Sequence, residues 1–225
     1  MKKEKGNYDL EELKRSQQEL AEKVVLTDEF DLGGMEYVAG VDQSFVGEKV
    51  ISACALLKFP SLEPVRGKTT VENVSFPYIP TFLMFREGMP AVRAVSTTIE
   101  DIDKSKVAVV VDGSGIAHPR KCGLACYVAV KTDLPTIGIT KKRLFGEVEE
   151  PQEVLESRPI MDEGELIGYA LKTCKRCRPI YISPGGHITP QNALLFIKEC
   201  IKGYKLPEPV RMAHELATEA RKKRM

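Results

Sequence analysis

Near the start of the chain, apolar side chains recur at Leu10, Leu13, Leu20 and Val24, on one stripe of a helical period. Asp9, with Glu12 three residues later, has the spacing of a capping box, so the pattern predicts an amphipathic helix over about 9–24. From Tyr37 to Phe45 the period drops to two. Tyr37, Ala39 and Val41 fall on one face and Val38, Gly40 and Asp42 on the other, which predicts a strand. Two further strands are expected over Val50–Phe59 and about Val65–Phe76, across the turn-prone pairs Pro60-Ser61 and Glu63-Pro64. Phe85, Met89, Val92, Val95 or Ser96, and Ile99 then recur at helical spacing; Pro90 is expected to kink or restart that helix, and Glu87 falls off its stripe. Val107–Val111 is a continuous apolar run, the mark of a strand buried on both faces. A helix from about Pro119 to Thr132 and a strand over Thr136–Thr140 complete a β-α-β unit. Leu166–Lys172 and Pro179–Ser183 predict a hairpin, and helices over Pro190–Ile201 and Pro209 to about Lys222 each open on proline.

That order implies an α/β fold of ribonuclease H-like type: a central mixed sheet, three antiparallel strands followed by parallel ones, flanked by helices. With 225 residues, 43% of them hydrophobic, the chain is expected to form a single domain over 1–225. Lys and Arg number 33 against 32 for Asp and Glu, so a surface for polyanions must be local. Val107–Val111 falls far short of the about 20 residues of a membrane span, and residues 1–30 hold no apolar segment of a secretory signal, so the expected location is the cytoplasm. Six cysteines show no secreted-domain spacing and are expected mostly as thiols. Cys174 and Cys177 form a C-x-x-C that leaves a disulfide open, and also a zinc site if Cys122 and Cys126 were to join it.

Aspartate is disfavoured within strands, yet Asp42 lies inside one and Asp112 ends the buried one, where open α/β sheets place their ligands. Buried charge needs a partner or a cation, and hard oxygen donors suit Mg²⁺ or Mn²⁺. Alternatively, each aspartate merely caps a turn. The run Asp112-Gly113-Ser114-Gly115-Ile116-Ala117-His118 also has the outline of a dinucleotide-binding loop, although His118 takes the third glycine position and Asp133 precedes a strand instead of ending one. Ser183-Pro184-Gly185-Gly186-His187 forms a second glycine-rich turn ahead of the Pro190 helix, either a phosphate cradle or a simple cap. Lys141-Lys142-Arg143 shares the sheet edge of Asp112, whereas Arg221-Lys222-Lys223-Arg224 reads as a solvated helix end. His214 borders the inward stripe of the last helix, the place of a core-edge histidine.

Taken together, Gly40-Val41-Asp42-Gln43-Ser44-Phe45, Phe76-Pro77-Tyr78-Ile79-Pro80, Phe85-Arg86-Glu87-Gly88, Val111-Asp112-Gly113-Ser114-Gly115, His118-Pro119-Arg120-Lys121, Pro135-Thr136-Ile137-Gly138 and Pro209-Val210-Arg211-Met212-Ala213-His214 resemble the endonuclease V family, in order, over a nuclease core of about 36–214. The resemblance implies hydrolysis of the second phosphodiester bond 3′ to a deaminated base such as deoxyinosine, supported by Mg²⁺ with Mn²⁺ as substitute. The partner is then damaged DNA, or inosine-containing RNA; a noncatalytic binder of such nucleic acid is the remaining alternative. It further implies that Asp42 and Asp112 are metal ligands, Glu87 the third carboxylate, Lys141 a phosphate contact and His214 a catalytic neighbour of metal and water. Tyr78, with Pro77, Ile79 and Pro80, would be a wedge entering the base stack. Gly113, Ser114, Gly115, Ile116 and His118 would form the base pocket, read mainly through backbone groups. Ser114 departs from the glutamine frequent in the family, and the C-x-x-C lies outside the resemblance.

Overall fold

A computed structural model describes residues 8–28 and 32–225; residues 1–7 and 29–31, within the span expected as one unit, lie outside the described residues. Helices are α1 (Leu10–Ala21), α2 (Leu83–Thr98), α3 (Leu124–Thr132), α4 (Pro190–Glu199) and α5 (Glu208–Lys222). Strands are β1 (Tyr37–Val46), β2 (Lys49–Lys58), β3 (Pro64–Asn73), β4 (Val107–Asp112), β5 (Thr136–Thr140), β6 (Ser157–Asp162), β7 (Glu165–Leu171) and β8 (Ile180–Gly186). They form one eight-stranded sheet in the order β3-β2-β1-β4-β5-β8-β7-β6. β1, β4 and β5 run parallel and the remaining neighbours antiparallel, giving the mixed, ribonuclease H-like sheet read from the sequence.

Alternation along the central strands feeds two cores. Ala39, Val41, Val107, Val109 and Val111 pack under Met84, Ala91 and Ala94 of α2 and Ala125 and Cys126 of α3. Val38, Ala108, Val110, Ile137 and Ile139 pack under Phe196 and Ile197 of α4 and Val210 and Ala213 of α5. A strand buried on both faces reads as an unbroken apolar run, which is why β4 was legible.

Several boundaries differ from expectation. One helix runs from Leu83 through Pro90 to Thr98 without restarting, and its buried face carries Met84, Glu87, Gly88, Ala91 and Ala94, while Met89 is exposed. Bulky apolar side chains suggested the wrong stripe, because this helix packs through its small residues and so brings Glu87 inward. α3 begins at Leu124, not near Pro119, because residues 113–123 form a loop that the neighbouring strands hold. Asp133 closes α3 in a left-handed conformation, ahead of β5 and not at a strand end where the acid of a dinucleotide site would stand. The glycine-rich 183–186 segment belongs to β8 and is not a turn, and β6 went unpredicted. Cys174 and Cys177 are joined in a disulfide, whereas thiols were expected; Cys122 and Cys126 are free and buried, so no zinc site forms from the four. Among the described residues no helix is long and apolar enough to cross a membrane.

Candidate active site

Val41 of β1 pairs with Val111 of β4 in parallel register, so Asp42 and Asp112 come next, side by side at the carboxyl edge of the sheet. At the about 4.8 Å spacing of neighbouring strands, two carboxylates there repel strongly. Asp42 is 6% exposed; burial, then Asp112, raises its carboxyl above the usual range, against the lowering effect of its hydrogen bonds. Its Oδ1 accepts from the Gln43 amide at 2.8 Å, and its Oδ2 accepts from His214 Nδ1 at 2.6 Å. Lys141 Nζ, just past β5, donates to Asp112 Oδ2 at 2.5 Å. Burial works against the ammonium, but Asp112 and Asp42 together hold Lys141 above its ordinary value.

Glu87 reaches the same edge from α2, 7% exposed and pushed up to about 7 by burial, with Asp42 and Asp112 adding to the effect and Arg86 opposing it. His214 arrives from the opposite helical layer. Gly40 makes that approach possible: a Cβ there would stand 2.0 Å from the Pro209 carbonyl oxygen, so only glycine lets the start of α5 lie against β1. The side chain of His214 is 52% exposed, so it is a surface residue tied to Asp42 and not a core-edge histidine.

Beside this edge opens a cavity of about 470 Å³, a volume suited to a small ligand or a single base. Asp112, Gly113, Ser114, His118, Lys141 and the Tyr78–Thr81 segment line it, with Tyr78 67% exposed at its rim. Gly115 and Ile116 stand behind the cavity: their amides donate to Ser183 Oγ and the Pro184 carbonyl at 2.8 and 2.9 Å, and a Cβ on Gly115 would meet that carbonyl at 2.0 Å. The Ser114 hydroxyl donates to the Ala117 carbonyl at 2.6 Å.

The rim hangs from a polar knot that the sequence did not reveal. Thr81 sits at φ 67°, a left-handed conformation costly for a β-branched residue. Its carbonyl oxygen accepts from Gln17 Nε2 at 3.2 Å, His118 Nε2 at 3.0 Å and Arg120 Nη2 at 2.8 Å, and its hydroxyl oxygen accepts from Arg120 Nη2 at 2.7 Å. Arg120 Nε also donates to Gln17 Oε1 at 2.6 Å, and Gln17 Nε2 donates to the Cys122 carbonyl at 2.5 Å. The Arg120 amide donates to His118 Nδ1 at 3.2 Å, which fixes the neutral tautomer with its proton on Nε2. Burial and then Arg120 lower that imidazole to about 4. A signal for Gln17 did exist. It fills the gap in the Leu10, Leu13, Leu20, Val24 stripe, and a polar residue at a core-facing position requires buried partners.

Among the described residues no group of three or more His, Cys, Asp or Glu side chains is arranged to hold a metal ion; Asp112 is paired with Lys141 and Asp42 with His214. The donor chemistry nevertheless fits a hard divalent cation: of the carboxylates at Asp42, Asp112 and Glu87, two are buried, and burial together with the neighbouring carboxylates holds Asp42 and Glu87 above their ordinary values.

Paired acids, one within β1 and one at the end of β4, beside a cation-lined cavity on a ribonuclease H-like sheet, define a nuclease that hydrolyses phosphodiesters. The family model for Endonuclease V matches residues 18–215. Endonuclease V of Archaeoglobus fulgidus is 54% identical over 213 residues, covering 95% of this chain and 94% of the relative. The catalytic domain of human Endonuclease V superposes with a TM-score of 0.86 at 31% identity, covering 95% of this chain and 96% of that one. Ciona intestinalis Endonuclease V, in complex with a 24mer DNA containing an inosine followed by a ribo-adenosine, shares the fold at a TM-score of 0.82 and 24% identity, covering 96% and 99%. The chain belongs to the endonuclease V family.

Proposed function

We propose that the protein is a DNA repair endonuclease that nicks the second phosphodiester bond 3′ to deoxyinosine and related deaminated bases, leaving the lesion in place. The observation that supports this best is the side-by-side placement of Asp42 and Asp112 next to a base-sized cavity rimmed by Tyr78. Asp42, Asp112 and Glu87 would hold the divalent cation, Mg²⁺ with Mn²⁺ as substitute. When bound, that ion supplies charge neutralisation at the scissile phosphate and acidity to a nearby water.

The chain's own residues supply the rest. Lys141 stays cationic and offsets charge that builds on the phosphate oxygens. His214 Nδ1 lies 2.6 Å from the Asp42 carboxylate, which orients the ring and would present Nε2 to the attacking water. Tyr78, stiffened by Pro77 and Pro80 with Ile79 between them, fills the stack that the damaged base vacates. Gly113, Ser114 and His118 face that base, while Gly115 and Ile116 brace the loop from behind. The N-terminal helix and the core act as one domain, working in the cytoplasm.

End-labelled duplexes with and without one deoxyinosine, beside matching inosine RNA, test this reading in Mg²⁺ and in chelator. The expected product is a metal-dependent nick at the second bond 3′ to the lesion, faster in DNA than in RNA. Faster cleavage of the RNA would reassign the substrate, a comparison prompted by the ribonucleotide in the Ciona complex. Binding without cleavage of either strand type would replace the nuclease by a noncatalytic reader.

A further inference from the structure

The C-x-x-C turn between β7 and β8 has no part in the chemistry above, yet the sheet brings it to the same edge. Thr140 of β5 pairs with Tyr181 of β8, and Ile180 pairs with Leu171 of β7, so residues 172–179 leave the sheet at the carboxyl end of β4 and β5, where Asp112 and Lys141 stand. The turn is dense in cations: Lys172, Lys175, Arg176 and Arg178, the last three exposed. Among the described residues none of these four forms an ion pair or a side-chain hydrogen bond. The opposite margin differs. There the β3 cations Arg66 and Lys68 are neutralised by Asp101 and Glu100. Arg143, two residues past Lys141, and Arg178 both lie within electrostatic reach of Tyr181, which pairs with Thr140; Glu150 accepts from the Tyr181 hydroxyl at 3.3 Å, and the backbones of Leu155 and Glu156 pair with Lys172 at the base of the turn.

The tip is also held in place. The Cys174–Cys177 disulfide closes around Lys175 and Arg176, the Cys177 amide donates to the Cys174 carbonyl at 3.2 Å, and Thr173 Oγ1 donates to the Lys205 carbonyl at 2.8 Å. Cations on a preformed tip lose less conformational freedom on binding than the same cations on a free loop. A long anion that already occupies the Lys141 site and continues along the sheet edge is the partner that suits this surface.

We propose that the β7–β8 turn is a second phosphate-binding surface, which grips the nucleic-acid backbone away from the scissile bond. It rests on the nuclease reading for the identity of its partner. From β4 to β7 the sheet advances three strand spacings, about 15 Å at about 4.8 Å each, which corresponds to roughly four nucleotide steps along a duplex. The grip therefore acts on long substrates and not on short ones.

The test measures binding of the full chain in chelator to two deoxyinosine duplexes, one with about 12 base pairs on each side of the lesion and one hairpin-closed with about two. The variant Lys175→Ala/Arg176→Ala/Arg178→Ala should bind the long duplex about tenfold more weakly, and its dependence of log affinity on log salt should flatten by about 0.9 for each phosphate that the turn no longer neutralises. The short duplex should change less than about twofold, as should its cleavage rate in Mg²⁺. The variant Lys222→Ala/Lys223→Ala/Arg224→Ala, which removes equal charge from the end of α5, should match the parent. An unchanged long-duplex affinity in the turn variant, or an equal loss in the α5 variant, overturns the proposal while leaving the nuclease reading intact. If the unaltered protein binds neither duplex, both fail together.

Discussion

The acidic edge and the cavity rim share a border at Asp112, yet they are built by opposite means. Asp42 and Asp112 stand together because β1 and β4 pair in register, so the backbone ladder itself sets the distance between the carboxylates. Tyr78 is presented by a loop that hangs from Thr81, and Thr81 is held by side chains from α1 and from the 118–122 loop. The ladder tolerates single side-chain changes, whereas the knot depends on each of its few donors. Chemistry and recognition in this chain are therefore separable by substitution.

The largest expected effect lies at the ladder. Asp112→Ala should lower single-turnover cleavage by about 10³-fold or more while leaving lesion affinity within about threefold. A fully active Asp112→Ala protein would remove the carboxylate assignment. The next effect is a pH dependence within the knot. Burial, then Arg120, holds His118 at about 4 against 6.5 in a free chain. The unfolded chain therefore takes up a proton below about 6.5 that the folded chain refuses until about 4. Stability is lost as pH falls through that window, by about 3 kcal/mol. Denaturant titrations of the parent and of His118→Gln at pH 7 and pH 4 read the difference; equal slopes in the two proteins would show that the imidazole is protonated in the fold.

Tyr78→Ala should cost about 1–3 kcal/mol of lesion affinity, the worth of one stacked base, with nonspecific duplex affinity nearly unchanged. Equal losses on damaged and undamaged duplexes would end the wedge assignment. The smallest effect is that of Gln17→Ala, which leaves the Cys122 carbonyl and part of the Thr81 knot unsatisfied. It should destabilise the chain by about 1–2 kcal/mol and reduce discrimination in the same direction as Tyr78→Ala, with the maximal cleavage rate preserved. A fall in that maximal rate instead would tie the knot to the acidic edge and undo the contrast.

What the sequence revealed follows the same division. Strands with a two-residue alternation or a buried run were readable, and with them the positions of Asp42 and Asp112, since a sheet needs only pairing to place them. α2 misled because its packed face is made of Gly88, Ala91 and Ala94, which carry little hydrophobic weight in a periodicity count. The Thr81 knot was hidden because its members lie far apart in sequence, more than 100 residues between Gln17 and Arg120, and no local pattern encodes such a meeting. The sequence leaves the disulfide open behind plain thiols, which compartment favours, because spacing alone cannot decide between them, although the hairpin around it is readable.

The most direct test of separability compares Asp112→Ala and Tyr78→Ala on one pair of duplexes, with and without deoxyinosine, measuring affinity in chelator and cleavage in Mg²⁺. Asp112→Ala should keep the parent's affinity ratio between the two duplexes and lose cleavage. Tyr78→Ala should lose the ratio yet still nick the bound lesion. Loss of the affinity ratio in Asp112→Ala, or an undiminished ratio in Tyr78→Ala, would contradict the account.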